Sequence, residues 1–268
     1  MSGCEDSYIF PNEAPGNLEI TKPSCYVSVG EEVTLVGSAD DADDDPIYFR
    51  WTTTAGSFDP ADGRGQVITW IAPDNPGLAV ITLIVTDEIE ESRLQTEIEV
   101  GGEFPVNMVT NEPLHPAIAD SGYVYLLNLQ PIEIPGGATF TIMEGVRIVA
   151  RGHNSGFEVT GRLVILGTED NPVTMGPDDC VPVEGSWAGI SFRGLGASGS
   201  ITYLQQHSAD IGLLVKTGAD VVISNSSLIN NELYGIELSD GGVLGVSDCT
   251  LWENDTGLYM RNGHLAVE

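Results

Sequence analysis

The first hundred residues alternate between apolar and polar positions. Cys25–Val29, Val33–Val36, Ile47–Trp51, Val67–Trp70, Val80–Val85 and Gln95–Val100 are short runs of this kind, and Gly, Pro and Asp clusters separate them. Period two with turn signals at this spacing predicts the half-buried strands of a β-sandwich. Trp51 falls on a central strand and is expected to fill the space between the sheets. From about residue 105 the pattern becomes a repeat. Gly189-Ile-Ser-Phe192, Gly212-Leu-Leu-Val215, Gly235-Ile-Glu-Leu238 and Gly257-Leu-Tyr-Met260 share one design, with glycines 23, 23 and 22 residues apart. Ile223–Leu228 and Val246–Leu251 repeat in step, again 23 apart. A repeat of this length, all strand and no helix, predicts one coil of a parallel β-helix. Val124–Leu127, Ala138–Ile142, Val146–Ala150, Phe157–Val159, Leu163–Leu166 and Pro172–Met175 extend the pattern upstream with looser spacing.

Alternation within a coil assigns side chains to faces. Ile190, Leu213, Ile236 and Leu258 are expected to stack inside, as are Phe192, Val215, Leu238 and Met260. Leu204, Ser226 and Cys249 are expected in a related inward column. Arg193, Lys216, Ser239 and Arg261 fall four residues after the repeat glycines and are expected to form one outward column. Ser191, Leu214, Glu237 and Tyr259 form the column beside it.

The wording of both halves is familiar. Ser38–Pro46, Tyr48-Phe-Arg-Trp51, Gly56, Trp70-Ile-Ala-Pro73, Pro76-Gly77 and Ile81–Asp87 resemble a PKD-type immunoglobulin-like module. That resemblance implies a non-catalytic spacer, adhesion or carbohydrate-associated unit on an exported bacterial protein. Pro135–Gly145, Val159–Leu163, Gly167–Thr174 and Gly185-Ser-Trp-Ala-Gly-Ile190 resemble a right-handed parallel β-helix of the pectate-lyase-like superfamily. That fold hosts lyases, hydrolases, adhesins and inert spacers alike. The expected organisation is all-β: a tether over 1–17, an immunoglobulin-like β-sandwich over 18–101, and a right-handed parallel β-helix over 105–268, cut short at its C-terminus because a coil is interrupted there.

Charge narrows the partners. The 268 residues carry 40 Asp and Glu against 10 Lys and Arg, a net charge of −30. This excludes nucleic acid as a partner, since a phosphate backbone needs cations. No apolar run reaches the roughly 18 residues of a membrane span. Ser2-Gly3-Cys4 resembles the end of a bacterial lipobox, although no charged and apolar leader precedes it. It implies lipid attachment at Cys4, with the protein on the outer membrane or cell surface, or extracellular. Among Cys25, Cys180 and Cys249 at most one internal bridge can form. Cys180 lies some three coils before Cys249, about 14 Å at the usual strand spacing. That is beyond the reach of a disulfide, so a Cys180–Cys249 bridge is not expected.

The candidate chemistry is sparse. Asp40, Asp41, Asp43, Asp44 and Asp45 crowd five carboxylates into six positions. Such a loop repels itself unless a cation such as Ca²⁺ neutralises it, or is a solvated turn for which Asp is suited. The polygalacturonase branch of the superfamily uses three aspartates and a Gly-His-Gly segment. Asp178-Asp179, His153 and His264 do not reproduce that pattern. Polysaccharide lyases use an Arg or Lys base, which directs attention to the scarce cations. Arg193, Lys216 and Arg261, with Glu237 and with Tyr259 as a stacking platform, are the candidates for holding a polysaccharide along the coil axis. Trp187, before an inward strand, is expected to be structural. The expected function is non-catalytic display of a β-helix for adhesion or polysaccharide binding at the cell surface. The alternatives are a polysaccharide lyase or glycoside hydrolase, and a structural stalk.

Overall fold

The computed structural model describes residues 12–103, 124–178, 180 and 185–267. Cys4 and His115 therefore lie outside the described residues, as does Asp179. The chain is all-β, with no helix among the described residues. It divides into two compact units. The first comprises Gly30–Asp74 and Leu78–Ile98 together with the chain up to Pro23; the second comprises Ser24–Val29, Asn75–Gly77 and everything from Glu99 onward.

In the first unit one antiparallel sheet runs in the order Gly16–Thr21, Glu32–Asp40, Val67–Ile71, Ser57–Asp59. Tyr48–Thr53 pairs antiparallel with Gly77–Thr86. The alternation in the sequence becomes burial: Val33, Leu35, Trp51, Ile68, Trp70, Ile81, Leu83 and Val85 are all at most 2% exposed. Trp51 is buried as expected, and its Nε1 donates to the carbonyl of Gly65 at 2.9 Å. Two strands were not visible as alternation. Gly16–Thr21 and Ser57–Asp59 are edge strands, and neither contains a buried residue.

The second unit is a parallel β-solenoid of about six turns. The first sheet stacks Pro131–Ile134, Gly156–Val159, Trp187–Arg193, Ala209–Lys216, Tyr234–Ser239 and Thr256–Arg261. The second stacks Thr139–Met143, Arg162–Leu166, Ser198–Thr202, Asp220–Ser224, Val243–Ser247 and His264–Val267. The third stacks Val124–Asn128, Arg147–Arg151, Val173–Pro177, Leu204–His207, Ser227–Ile229 and Thr250–Trp252. The chain visits the three in rotation. Ile190, Leu213 and Ile236 stack in register and are at most 1% exposed, as do Phe192, Val215 and Leu238 at 0%. Leu258 packs against this core. Met260 does not follow the expectation: it is registered with Leu238 but 53% exposed, because no further described strand covers it.

The repeat glycines have a steric cause. A Cβ at Gly212 would stand 2.6 Å from the carbonyl oxygen of Gly235, and one at Gly235 would stand 2.8 Å from that of Gly257. Each glycine thus lets the next coil's backbone close in. The corners between sheets have a second signature. Tyr203, Asn225 and Asp248 hold φ between 47° and 49°, and Ser208, Asn230 and Glu253 hold φ between 53° and 59°. Asn, Asp and Ser tolerate this left-handed region through local side-chain bonding.

The segment Ser24–Val29 belongs to the solenoid unit, where Tyr26–Ser28 pairs with Glu99–Gly101. Cys25 is disulfide-bonded to Cys180 with Cα atoms 5.4 Å apart, leaving Cys249 free. Asp178 accepts from the backbone N–H of Cys25 and of Cys180 and from the Ser24 hydroxyl, so its carboxylate organises the bridge. Arg147 ion-pairs with Glu99 at 3.2 Å, and its Nη2 donates to the Tyr26 hydroxyl at 3.0 Å.

Candidate functional site

The outer face of the first sheet carries the residues singled out in the sequence. Glu158, Ser191, Leu214, Glu237 and Tyr259 stand in register on successive coils. Arg193 is registered with Lys216, and Ser239 with Arg261. Parallel pairing puts such neighbours about 4.8 Å apart along the coil axis. The column is not uniformly outward. Ser239 is 1% exposed, and its hydroxyl donates to Glu237 Oε1 at 2.9 Å. A small hydroxyl can fold in against the sheet where the longer cations cannot.

The cations differ in their partners. Arg261 is ion-paired with Asp240 at 3.7 Å. Arg193 donates from Nε to Ser191 Oγ at 2.7 Å. Among the described residues no carboxylate lies within ion-pair distance of Arg193 or Lys216. Arg193 lines a groove of about 390 Å³ that also touches Glu158, Ser191, Asp210 and Leu214. Tyr259 stacks on Tyr234, with ring centroids 4.8 Å apart and planes inclined by 12°. One ring face is thereby covered, and the pair presents a rigid aromatic step beside Glu237 and Arg261.

The coil corner at the other end of these strands holds a cluster that the sequence reading missed. His153 donates from Nδ1 to the carbonyl of Gly185 at 2.6 Å, and its Nε2 lies 3.4 Å from Asp210 Oδ2. Asp210 and Glu232 share a side-chain hydrogen bond. Burial raises the Asp210 pKa above the ordinary aspartate value, the Glu232 charge and hydrogen bond raise it further, and His153 opposes the rise. Gly185, at φ 68°, leaves room for both carboxylates: a Cβ there would collide with Glu232 and stand 2.9 Å from Asp210 Oδ1. The available signal was the spacing of Asp210 and Glu232, 22 residues or one coil. Chemically this is a carboxyl pair beside an imidazole, with Asp210 on the rim of the groove.

The remaining candidates fall elsewhere. Trp187 is fully buried and its Nε1 donates to the His207 carbonyl at 2.8 Å, a structural role. His264 is exposed. In the first unit, Asp41, Asp43 and Asp45 bring one carboxylate oxygen each within 4.8 Å of one another, whereas Asp40 and Asp44 do not join them. Asp41 Oδ1 accepts from the backbone N–H groups of Asp43 at 3.0 Å and Asp45 at 3.1 Å, and its Oδ2 is buried without a hydrogen-bond partner. This geometry fits a hard cation at three of the five positions, within a turn that Asp41 itself closes.

No family model and no curated protein matches the chain. Among solved structures it is similar, at a TM-score of 0.26 and 16% identity, to a nucleoside hydrolase-related hypothetical protein from Saccharophagus degradans described as associated with carbohydrate metabolism. The match covers 34% of this chain and 26% of that one, and carries no argument about activity.

Proposed function

We propose that this chain is an exported bacterial surface protein in which a PKD-type immunoglobulin-like module precedes a right-handed parallel β-helix of the pectate-lyase-like kind. Its role in this reading is non-catalytic. The outer face of the first sheet binds an acidic or neutral polysaccharide lying along the coil axis, and lipid attachment at Cys4 holds the protein at the membrane. The acidic loop at Asp41, Asp43 and Asp45 takes Ca²⁺.

One observation carries the reading. Arg193 and Lys216 sit side by side on adjacent coils with no carboxylate at ion-pair distance among the described residues, in a chain with 40 carboxylates. Like charges on neighbouring strands are unfavourable unless something answers them. The groove beside Arg193 and the stacked Tyr234–Tyr259 pair supply the shape and aromatic surface that a sugar polymer uses. The test is electrophoresis through gels cast with acidic and neutral polysaccharides. The wild-type protein is expected to be retarded by at least one polymer, and the Arg193→Ser/Lys216→Ser double variant much less so. Equal retardation of the two proteins would overturn the assignment.

The His153–Asp210–Glu232 cluster favours a second reading, that of a polysaccharide-cleaving enzyme. A carboxyl whose pKa is raised by burial is suited to act as a general acid, with a second carboxyl group beside it. Sizing the polymer recovered from the same gels separates the two: intact polymer supports binding alone, shortened polymer supports cleavage.

A further inference from the structure

Arg50 and Arg64, both in the first unit, have no part in the polysaccharide reading. They face each other across an isolated antiparallel bridge. The backbone bonds around that bridge run from Trp51 N–H to the Gly63 carbonyl at 2.7 Å and from Gly65 N–H to the Phe49 carbonyl at 3.1 Å. Both bonds flank the Arg50–Arg64 pair and neither joins it. This is the non-hydrogen-bonded kind of pair, in which facing side chains come closest, with Cβ atoms about 5 Å apart. Like charges in that position are destabilising. Among the described residues neither guanidinium has an ion-pair or hydrogen-bond partner.

Both arginines line a cavity of about 690 Å³, within the usual range for a small-molecule site. Ile84, 3% exposed, contributes apolar surface to its lining, and Tyr48, 51% exposed, offers an aromatic ring. Glu88 and Glu91 also line it, and Glu91 is already ion-paired with Arg93. The cavity is therefore bipolar. Two unanswered cations call for one oxyanion, and planar guanidinium groups suit a carboxylate in a two-pronged contact. Glu88, together with the chain's net charge of −30, repels a second anionic group.

We infer that this cavity is a saccharide site for a single uronic acid joined to a neutral sugar. The carboxylate lies between Arg50 and Arg64, and the neutral ring packs on Tyr48 and Ile84. The inference does not rest on the first-sheet reading, since it uses none of the same residues.

The experiment is titration calorimetry of the whole protein with three disaccharides: a uronic acid–hexose, a neutral dihexose and a diuronate. The first is expected to bind, and the other two at least tenfold more weakly. Arg50→Gln, Arg64→Gln and Tyr48→Ala are each expected to lower affinity for the first by tenfold or more. The Arg193→Ser/Lys216→Ser variant is expected to bind it unchanged, which keeps this site distinguishable from the solenoid groove. Removing one of two facing cations relieves repulsion, so the melting temperature of ligand-free Arg64→Gln is expected at or above that of the wild type. A loss of binding with that result is not unfolding. Equal binding of the neutral dihexose, or affinity unchanged in both arginine variants, would overturn the site. Unchanged affinity in Tyr48→Ala would overturn its saccharide character.

Discussion

Asn231 is 1% exposed inside the solenoid and makes contacts that no apolar residue could replace. Its Oδ1 accepts from Gln206 Nε2 at 2.8 Å and from the Ala209 N–H at 2.9 Å, and its Nδ2 donates to Asn254 Oδ1 at 2.7 Å. Asn254 in turn donates to the Leu228 carbonyl at 3.0 Å. Asn231→Ala leaves several buried polar groups without partners, at about 1–3 kcal/mol each. A loss of about 3 kcal/mol or more is expected in denaturant unfolding, and a loss below about 1 kcal/mol would show that water replaces the ladder. Asp210 makes a prediction of opposite sign. Its folded pKa is raised, so its charged form costs stability at pH values above that pKa, and the cost disappears as pH falls through it. Asp210→Asn is therefore expected to raise the melting temperature near neutral pH. The gain should shrink toward zero once the pH drops below the ordinary aspartate range. Neither residue was found from the sequence. An asparagine or aspartate once per coil looks like a turn residue until the register shows which ones point inward or converge.

At the scale of the element, the strands were legible and the corners were not. Period two in Val80–Val85 and the 23-residue spacing of Gly189, Gly212 and Gly235 are direct consequences of pleat and stacking, and a strand formed at each of these places. Gly16–Thr21 and Ser57–Asp59 gave no alternation because they are edge strands without a buried residue. The Cys25–Cys180 bridge joins residues 155 apart, a pairing that no local pattern encodes. The left-handed corners at Tyr203, Asn225 and Asp248 recur at coil spacing, but Tyr at the first of them hides the rule. The acidic loop yields a prediction at this scale. Three converging carboxylates and a buried, unpartnered Asp41 Oδ2 would be stabilised by a divalent cation that bound the folded form. The melting temperature is expected to be higher in millimolar calcium than in excess chelator, and Asp41→Asn/Asp43→Asn should remove most of the difference. An identical melting temperature in the two buffers would leave the loop as a turn closed by Asp41.

For the whole molecule, the balance of charge gives each cation its meaning. With 10 Lys and Arg against 40 Asp and Glu, the described cations divide into those with a carboxylate at ion-pair distance and those without. Arg93, Arg147 and Arg261 are each paired with a carboxylate, whereas Arg50 and Arg64 of the first unit are not. Arg193 and Lys216 are likewise without a carboxylate partner, Arg193 lines the groove, and sequence alone placed the two on adjacent coils through the repeat. It did not show that Arg261 is neutralised by Asp240, because that contact depends on a corner conformation. Whether the first sheet's outer face holds a polysaccharide is read from affinity electrophoresis of the wild type beside Arg193→Ser/Lys216→Ser through the same polysaccharide gels. A polymer is expected to retard the wild type, to be recovered at its original length, and to retard the double variant far less. No retardation of the wild type by any acidic or neutral polymer, or equal retardation of both proteins, would contradict it.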